Sequence, residues 1–126
     1  MDLEQARVIQ ARESLEGAQA LLEEGMDAGF ILSCIFYAFY YAVLAVMNQG
    51  KTSEVLQSAT IELFDRQFVK GGVFPREYSD ALHRLFSVKP QCGGERTPVA
   101  GSEIKELLAC AQKFVVAVEQ YLREKQ

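Results

Sequence analysis

The sequence contains one histidine, His83, and an arginine, Arg76, seven residues before it. On a helix both side chains project from one side, about 10 Å apart by helical rise. An imidazole can move the proton of a ribose 2′-hydroxyl, and a guanidinium can stabilise the charged phosphorus centre that follows. The pair is therefore a candidate for RNA cleavage. The alternative is that a lone helical histidine is a surface or packing residue.

Other site chemistries find little support in the sequence. There is no GxxxxGK[ST] nucleotide loop and no GxSxG elbow, and Gly93 and Gly94 follow no strand pattern. Glu23 and Glu24 are adjacent in a helical pattern, so they point about 100 degrees apart and cannot share a ligand. No Glu-x-x-His pair of a di-metal bundle is present. The sequence therefore predicts no metal site, no cofactor and no assured catalytic residue.

The cysteines and the N-terminus bear on the compartment. Cys34, Cys92 and Cys110 are widely spaced and form no CxxC pair, which argues against a disulfide framework and a zinc site. The first residues, MDLEQARVIQ, lack the basic and apolar regions of a secretory signal. We expect a cytoplasmic protein.

The charge is unevenly distributed along the chain. The net charge is −4 at pH 7, and residues 1–30 are acidic, whereas residues 63–101 are mildly basic. A solvated face of mixed charge is the ordinary explanation, and a local phosphate-facing patch is the alternative. The residues predicted to contact a nucleotide or RNA in that patch are Arg66, Lys70, Arg76, His83, Arg84 and Lys89.

An uncharged stretch from Ala28 to Met47, AGFILSCIFYAFYYAVLAVM, is long enough to cross a bilayer and is equally typical of a helix buried on every side. Tyr37, Tyr40 and Tyr41 lie near its middle, whereas membrane proteins place tyrosine at the water interfaces. We therefore predict the central helix of a soluble bundle, with no membrane contact. The three tyrosine rings could be stacking platforms for bases, but core packing is favoured on a helix without a polar face.

Apolar periodicity predicts helices throughout the chain. A first helix runs from Leu3 to about Gly25, and Asp27 caps the uncharged second helix, which ends at an Asn48–Gly50 turn. The residues predicted to face inward from the first helix are Val8, Ala11, Leu15, Ala18 and Leu22. The short link between the two helices favours an antiparallel pair.

Three further helices follow in the pattern. Thr52 or Ser53 caps a third helix, which Gly71 and Gly72 end and which turns inward Leu56, Ala59, Leu63, Phe64 and Phe68. Pro75 starts a shorter fourth helix, with Pro90 beyond its end and Tyr78, Leu82, Leu85 and Phe86 facing inward. After a loop from Pro90 to Gly101, Ser102 caps a last helix that buries Ile104, Leu107, Leu108, Ala111, Val115, Val118 and Leu122. We predict one all-α domain over residues 1–126, an antiparallel up-and-down four-helix bundle with one additional short helix.

Three segments resemble the small prokaryotic HEPN proteins. They are IFYAFYYAVLAVM (Ile35 to Met47), LFDRQFVKGGVFPREYSDAL (Leu63 to Leu82) and CAQKFVVAVEQYL (Cys110 to Leu122). The resemblance implies a helical bundle that dimerises and is often encoded beside a minimal nucleotidyltransferase. Some such proteins are toxins of toxin–antitoxin pairs that cut RNA with an Arg and a His four to six residues apart.

The chain departs from that pattern at its polar positions. Cys34 and Tyr41 stand where similar proteins have an Arg and a His in the second helix, and Gln57 stands for a His at the start of the third. The usual Arg followed by Ala-Asp-Tyr is replaced by the loop Lys89-Pro90-Gln91-Cys92-Gly93-Gly94. Arg76 and His83 fall earlier in the pattern and within one helix, so the catalytic role is not carried over to them.

These departures predict a non-catalytic binding or regulatory module. The expected partners are a second copy of the chain, a nucleotidyltransferase, and a nucleotide or RNA. Two alternatives remain at this point. One is an endoribonuclease toxin that uses Arg76 and His83 across a dimer, and the other is a purely structural helical bundle.

Overall fold

A computed structural model describes residues 2–47, 57–88 and 99–125 of the chain. These residues form five α-helices and one π-helical turn: α1 (Leu3–Glu23), α2 (Ala28–Met47), α3 (Gln57–Phe64), the π turn (Asp65–Val69), α4 (Arg76–Val88) and α5 (Gly101–Lys125). Within these ranges there is no strand. The predicted all-α helical bundle is confirmed.

The first two helices are delimited by residues with clear local roles. Asp2 begins α1 with a capping box, in which its carboxylate accepts from the Gln5 amide at 2.8 Å and the Gln5 side chain accepts from the Asp2 amide at 3.4 Å. Gly25 follows α1 with φ of 69°, a left-handed conformation that favours glycine. Asp27 caps α2, as predicted, by accepting a hydrogen bond from the Gly29 amide at 3.2 Å.

α2 is the central helix of the bundle. It packs against α1, α4 and α5, and most of its side chains are buried, with Phe36 and Phe39 fully so. By length and composition α2 could cross a membrane, since its mean hydropathy is 2.1, but 67% of that apolar window is buried within the protein itself. The predicted burial of this helix is confirmed by that packing.

α5 contributes the opposite side of the core. All seven residues predicted to face inward from it are buried. The periodicity did not single out Phe114, which is fully buried and lies at the centre of an aromatic cluster. Its ring centroid is 5.1–5.7 Å from those of Phe39, Phe64, Phe74 and Tyr78. Ring pairs at such separations add to the stabilisation that burial alone provides.

Two details of the predicted helices are wrong. α5 begins at Gly101, so Ser102 lies inside its first turn, and the Ile104 amide bonds to the Ala100 carbonyl at 3.0 Å. The prediction that the fourth helix is shorter than the others stays a prediction, because the residues directly before α3 lie outside the described ranges. α3 also turns Thr60 and Ile61 into the core, whereas the predicted Ala59 and Leu63 are half-buried. The buried residues of α3 therefore do not follow the single apolar stripe that the sequence predicts.

The π turn that follows α3 was not predicted. The Lys70 amide donates to the Asp65 carbonyl at 2.9 Å, a bond to the fifth residue back instead of the fourth. Gly71 is needed directly after it, because a Cβ there would lie 2.8 Å from the Gln67 carbonyl oxygen. Gly72 then adopts φ of 79° and reverses the chain. The prediction that this glycine pair ends the helix is confirmed, but the widened turn depends on packing.

Several sequence predictions lie outside the described residues. They are the turn at Asn48–Gly50, the caps at Thr52 or Ser53, the inward position of Leu56, and most of the loop from Pro90 to Gly101. The single domain over residues 1–126 stays a prediction.

The aromatic cluster gives a test of the core. Phe114→Ala should lower the free energy of unfolding by about 3–5 kcal/mol, because it removes a fully buried ring and leaves a cavity. Urea unfolding followed by circular dichroism measures the change. Val116→Ala, on the exposed side of the same helix, is the matched control and should change it by less than about 0.5 kcal/mol. Equal losses in the two variants would contradict this description of the core.

Candidate functional site

A polar cluster joins the π turn to α4. The Asp65 carboxylate accepts a hydrogen bond from the Ser79 hydroxyl at 2.7 Å, and its other oxygen lies 2.5 Å from Nε2 of His83. Asp65 opens the π turn, whereas Ser79 and His83 are four residues apart on α4 and so share one face. One carboxylate therefore ties the turn to two successive turns of a helix.

The Asp65 contact determines how the His83 ring is presented. An ionised carboxylate only accepts hydrogen bonds, so Nε2 carries the proton and donates. Nδ1 is then directed away from Asp65. The His83 side chain is 56% exposed, whereas Asp65 is 22% exposed. The arrangement is that of an oriented surface imidazole, which is one requirement for proton transfer.

Arg76 does not contribute to that arrangement. Its guanidinium is 87% exposed, and Nε lies 3.9 Å from the carboxylate of Asp80, one turn further along α4. Among the described residues no contact joins Arg76 to His83. The structure thus places the two candidate cleavage residues on one helix, as predicted, without bringing their reactive groups together.

The other predicted basic residues are mostly engaged by carboxylates. Arg66 donates to Glu62 at 3.2 Å, and Arg84 holds Glu103 of α5 with two bonds of 2.8 and 3.0 Å. The hydrogen bond between the last two raises the pKa of Arg84 and lowers the pKa of Glu103. A phosphate competing for these residues would first have to displace a carboxylate.

The remaining two members of the predicted patch are Lys70 and Lys89. Lys70 is exposed and meets no carboxylate at ion-pair distance within the part of the chain that the structure describes. Lys89 lies outside the described residues. The predicted nucleotide or RNA contact of these six residues stays a prediction, although most of the charge in the described part is locally balanced.

A small cleft lies between the π turn and the start of α4. Its volume is about 360 Å³, and it is lined by Asp65, Val69, Lys70, Arg76 and Ser79. Val69 is the one apolar side chain in that lining. The cleft therefore brings together two members of the predicted basic patch and two members of the polar cluster.

Larger clefts follow the seam between α1 and α5. Two of them have volumes of about 400 and 450 Å³, and both are lined by Arg12. The guanidinium of Arg12 forms an ion pair with Glu119 across the seam, and this hydrogen bond raises the pKa of Arg12. The seam is thus held by an ion pair between α1 and α5.

A row of apolar side chains remains uncovered on α2. Phe30 is 59% exposed and Tyr37 is 38% exposed, whereas Cys34 and Tyr41 are half-buried. Positions 30, 34, 37 and 41 recur at helical spacing, so they form one stripe, and the Tyr37 and Tyr41 rings are 6.1 Å apart. We call these four residues the aromatic face. The prediction that all three tyrosines pack in the core is wrong, because only Tyr40 is buried.

The described cysteines are poor nucleophiles. Burial raises the pKa of Cys34, and burial together with the nearby charge of Glu77 raises the pKa of Cys110 to about 11. Both thiols are free. Because the thiolate is the reactive form, neither is suited to covalent catalysis. Cys92 lies outside the described residues.

Sequence reasoning missed Asp65 and Ser79. No motif or spacing in the sequence singles out either residue. They are 14 residues apart, and Asp65 is 18 residues from His83, so no local spacing rule links them. The sequence offers one signal for this cluster. An acid precedes the Gly-Gly turn, and a serine and the single histidine follow it.

The chain has a distant relative among known proteins. No protein-family model matches the chain. The chain is similar to a UPF0332 protein of Thermotoga maritima, with 28% identity over 116 residues that cover 90% of this chain and 86% of the relative. The similarity therefore extends over most of both chains.

The polar cluster can be tested by removing its carboxylate. Asp65→Ala should lower the free energy of unfolding by about 1–3 kcal/mol, because it leaves the buried Ser79 hydroxyl without its acceptor. Asp80→Ala is the matched control, since it removes an acid from an exposed pair on the same surface and should have little effect. Thermal unfolding of the two variants side by side measures the difference. Equal stability of the two would show that the cluster does not join the turn to α4.

Proposed function

We propose that this chain is a non-catalytic HEPN-like binding module that docks a second copy of itself through the aromatic face of α2. The observation that carries the proposal is the exposure of Phe30 and Tyr37 on a helix whose other side chains are buried or half-buried. The resemblance of three segments to HEPN proteins supports the same conclusion. A purely structural bundle would not need exposed aromatic side chains on α2.

The aromatic face has the composition of a protein interface. Each square ångström of apolar surface removed from water contributes about 25 cal/mol, and exposed aromatic side chains contribute much of the energy at interfaces. Phe30, Tyr37 and Tyr41 lie along about three turns of one helix. Scattered exposed apolar residues need no explanation, but a row in register is typical of a docking site.

The absence of charge from α2 favours a second copy as the occupant. No Asp, Glu, Lys or Arg occurs over its 20 residues. A two-fold axis beside this helix would bring two aromatic faces together without placing like charges opposite each other. In such a dimer the aromatic face of one copy contacts the aromatic face of the other. The chain therefore needs no second binding surface to form the interface.

A nucleotidyltransferase is the heterologous partner that the HEPN resemblance implies. We propose that it binds the dimer outside the aromatic face. A nucleotidyltransferase gene beside the gene for this chain would support this part of the proposal. Co-elution of the two co-expressed proteins would test it, and separate elution would count against it.

An endoribonuclease is the second candidate. The observation in its favour is the Asp65 carboxylate, which orients the His83 ring and leaves Nδ1 facing away. Against it stands Arg76, whose side chain is mostly exposed and lies 3.9 Å from Asp80 instead of contacting the imidazole. RNA cleavage needs a group that transfers a proton and a second group that stabilises the charged phosphorus centre. His83 could be the first group, but Arg76 does not lie beside it as the second.

The dimer is tested by placing a charge on the aromatic face. Phe30→Asp and Tyr37→Asp should each weaken self-association by about tenfold or more, because each buries an unpaired carboxylate in the interface. Sedimentation velocity of the purified 14.1 kDa chain measures the shift toward monomer. Val116→Asp changes an equally exposed apolar residue on α5 and should leave the association unchanged. A monomeric wild-type protein, or equal effects of all three changes, would contradict the proposed dimer.

The non-catalytic assignment is tested with RNA. Purified wild-type protein should cleave a labelled single-stranded RNA no faster than His83→Ala or Asp65→Asn, because Arg76 pairs with Asp80 and does not contact the imidazole. Gel analysis over a time course measures the rates. Cleavage by the wild type that both substitutions abolish would establish the second candidate instead.

A further inference from the structure

The cleft between the π turn and α4 separates two basic residues from the rest of the predicted patch. Lys70 and Arg76 both line it, whereas Arg66 and Arg84 are absent from its lining and are bonded to Glu62 and Glu103. Its volume of about 360 Å³ lies within the range of small-molecule sites. The cleft is large enough for a phosphate group with part of its attached sugar.

The acid in the lining does not cancel these two positive charges by direct pairing. Both oxygens of Asp65 are engaged, one by the Ser79 hydroxyl and the other by His83. Asp65 forms no ion pair with either lining cation at 4.0 Å or less. The polar cluster therefore holds the carboxylate in place beside the cleft and keeps it from folding over Lys70.

Arg76 is available at small cost. Its contact with Asp80 is 3.9 Å long, and both side chains are mostly exposed. Exposed pairs of this kind contribute little free energy, so a ligand can replace the Asp80 carboxylate. By contrast, Arg84 forms two short bonds with Glu103, which is the stronger bidentate arrangement. The two arginines thus differ in the ease with which a new anion can bind them.

The lining also limits the chemistry of the occupant. One apolar side chain, Val69, offers too little surface for a hydrophobic ligand. Two adjacent cations suit a doubly charged anion, which Arg can hold with its planar fork and Lys as a point charge. A long RNA backbone would need further cations along the cleft, and neither Arg66 nor Arg84 lines it.

We infer that Lys70 and Arg76 bind a single phosphate group in this cleft, carried by a phosphate monoester or by free phosphate, with Asp65, Ser79 and His83 keeping the site open. This inference rests on the nucleotide-binding part of the predicted function and names the residues and the ligand group. It is independent of the aromatic face, which lies on α2. Failure of one therefore leaves the other standing.

The test is titration of the full-length protein with inorganic phosphate, AMP and adenosine. Isothermal calorimetry at low salt should show saturable binding of phosphate and AMP but not of adenosine, because the phosphate group is the part recognised. Stronger binding of AMP than of phosphate would identify a nucleotide as the source of the group, and equal binding would identify free phosphate.

Charge removal at matched positions locates the site. Lys70→Ala and Arg76→Ala should each weaken AMP or phosphate binding by about tenfold or more, since each removes a charged hydrogen bond. Arg66→Ala and Arg84→Ala remove the same charge outside the cleft and should change it by less than about twofold. Circular dichroism and sedimentation of each variant check that the bundle and its association state are retained.

Three results would overturn the inference. They are no saturable binding of either phosphate compound, equal weakening by all four substitutions, and binding of adenosine as strong as that of AMP. Tighter binding of an oligonucleotide without terminal phosphate, with Arg66 and Arg84 contributing, would replace the cleft with an extended RNA surface. In each case the sedimentation results for Phe30→Asp and Tyr37→Asp decide the dimer separately.

Discussion

The structure depends on the burial of α2. A 20-residue helix without a charged side chain cannot be left in water, so the apolar stripes of α1, α4 and α5 pack against it. The fully buried rings of Phe36 and Phe39 fill the space between these helices, and Phe39 extends the core to Phe114 of α5. The apolar stripe of each surrounding helix is thereby buried against α2.

The same constraint explains where a binding face arises. Three helices around a fourth cover most of its circumference but leave one stripe, and on α2 that stripe carries Phe30 and Tyr37. Because no charged residue is present on this helix, the uncovered stripe is apolar. The exposed aromatic surface is thus a direct result of surrounding an apolar helix incompletely, and a second copy would complete its burial.

The polar cluster lies in the middle of the chain, where α3 continues into the π turn and α4 follows. A chain with a net charge of −4 has little long-range attraction for nucleic acid. The availability of each basic side chain to a ligand then depends on the acidic side chain that it contacts. Arg84 is held by Glu103 across two helices, whereas Lys70 and Arg76 line a cleft whose carboxylate, Asp65, is held by Ser79 and His83.

The sequence by itself determined the helices, most of their apolar faces and the central place of α2, because helical period and local capping act over a few residues. It predicted all seven inward positions of α5 and the stop at Gly71 and Gly72. Only the tertiary structure decided that Tyr37 faces outward, that the chain widens into a π turn, and which acid meets which base. These outcomes depend on the rotation of packed helices and on contacts across 14 to 107 residues of chain, which no local pattern records.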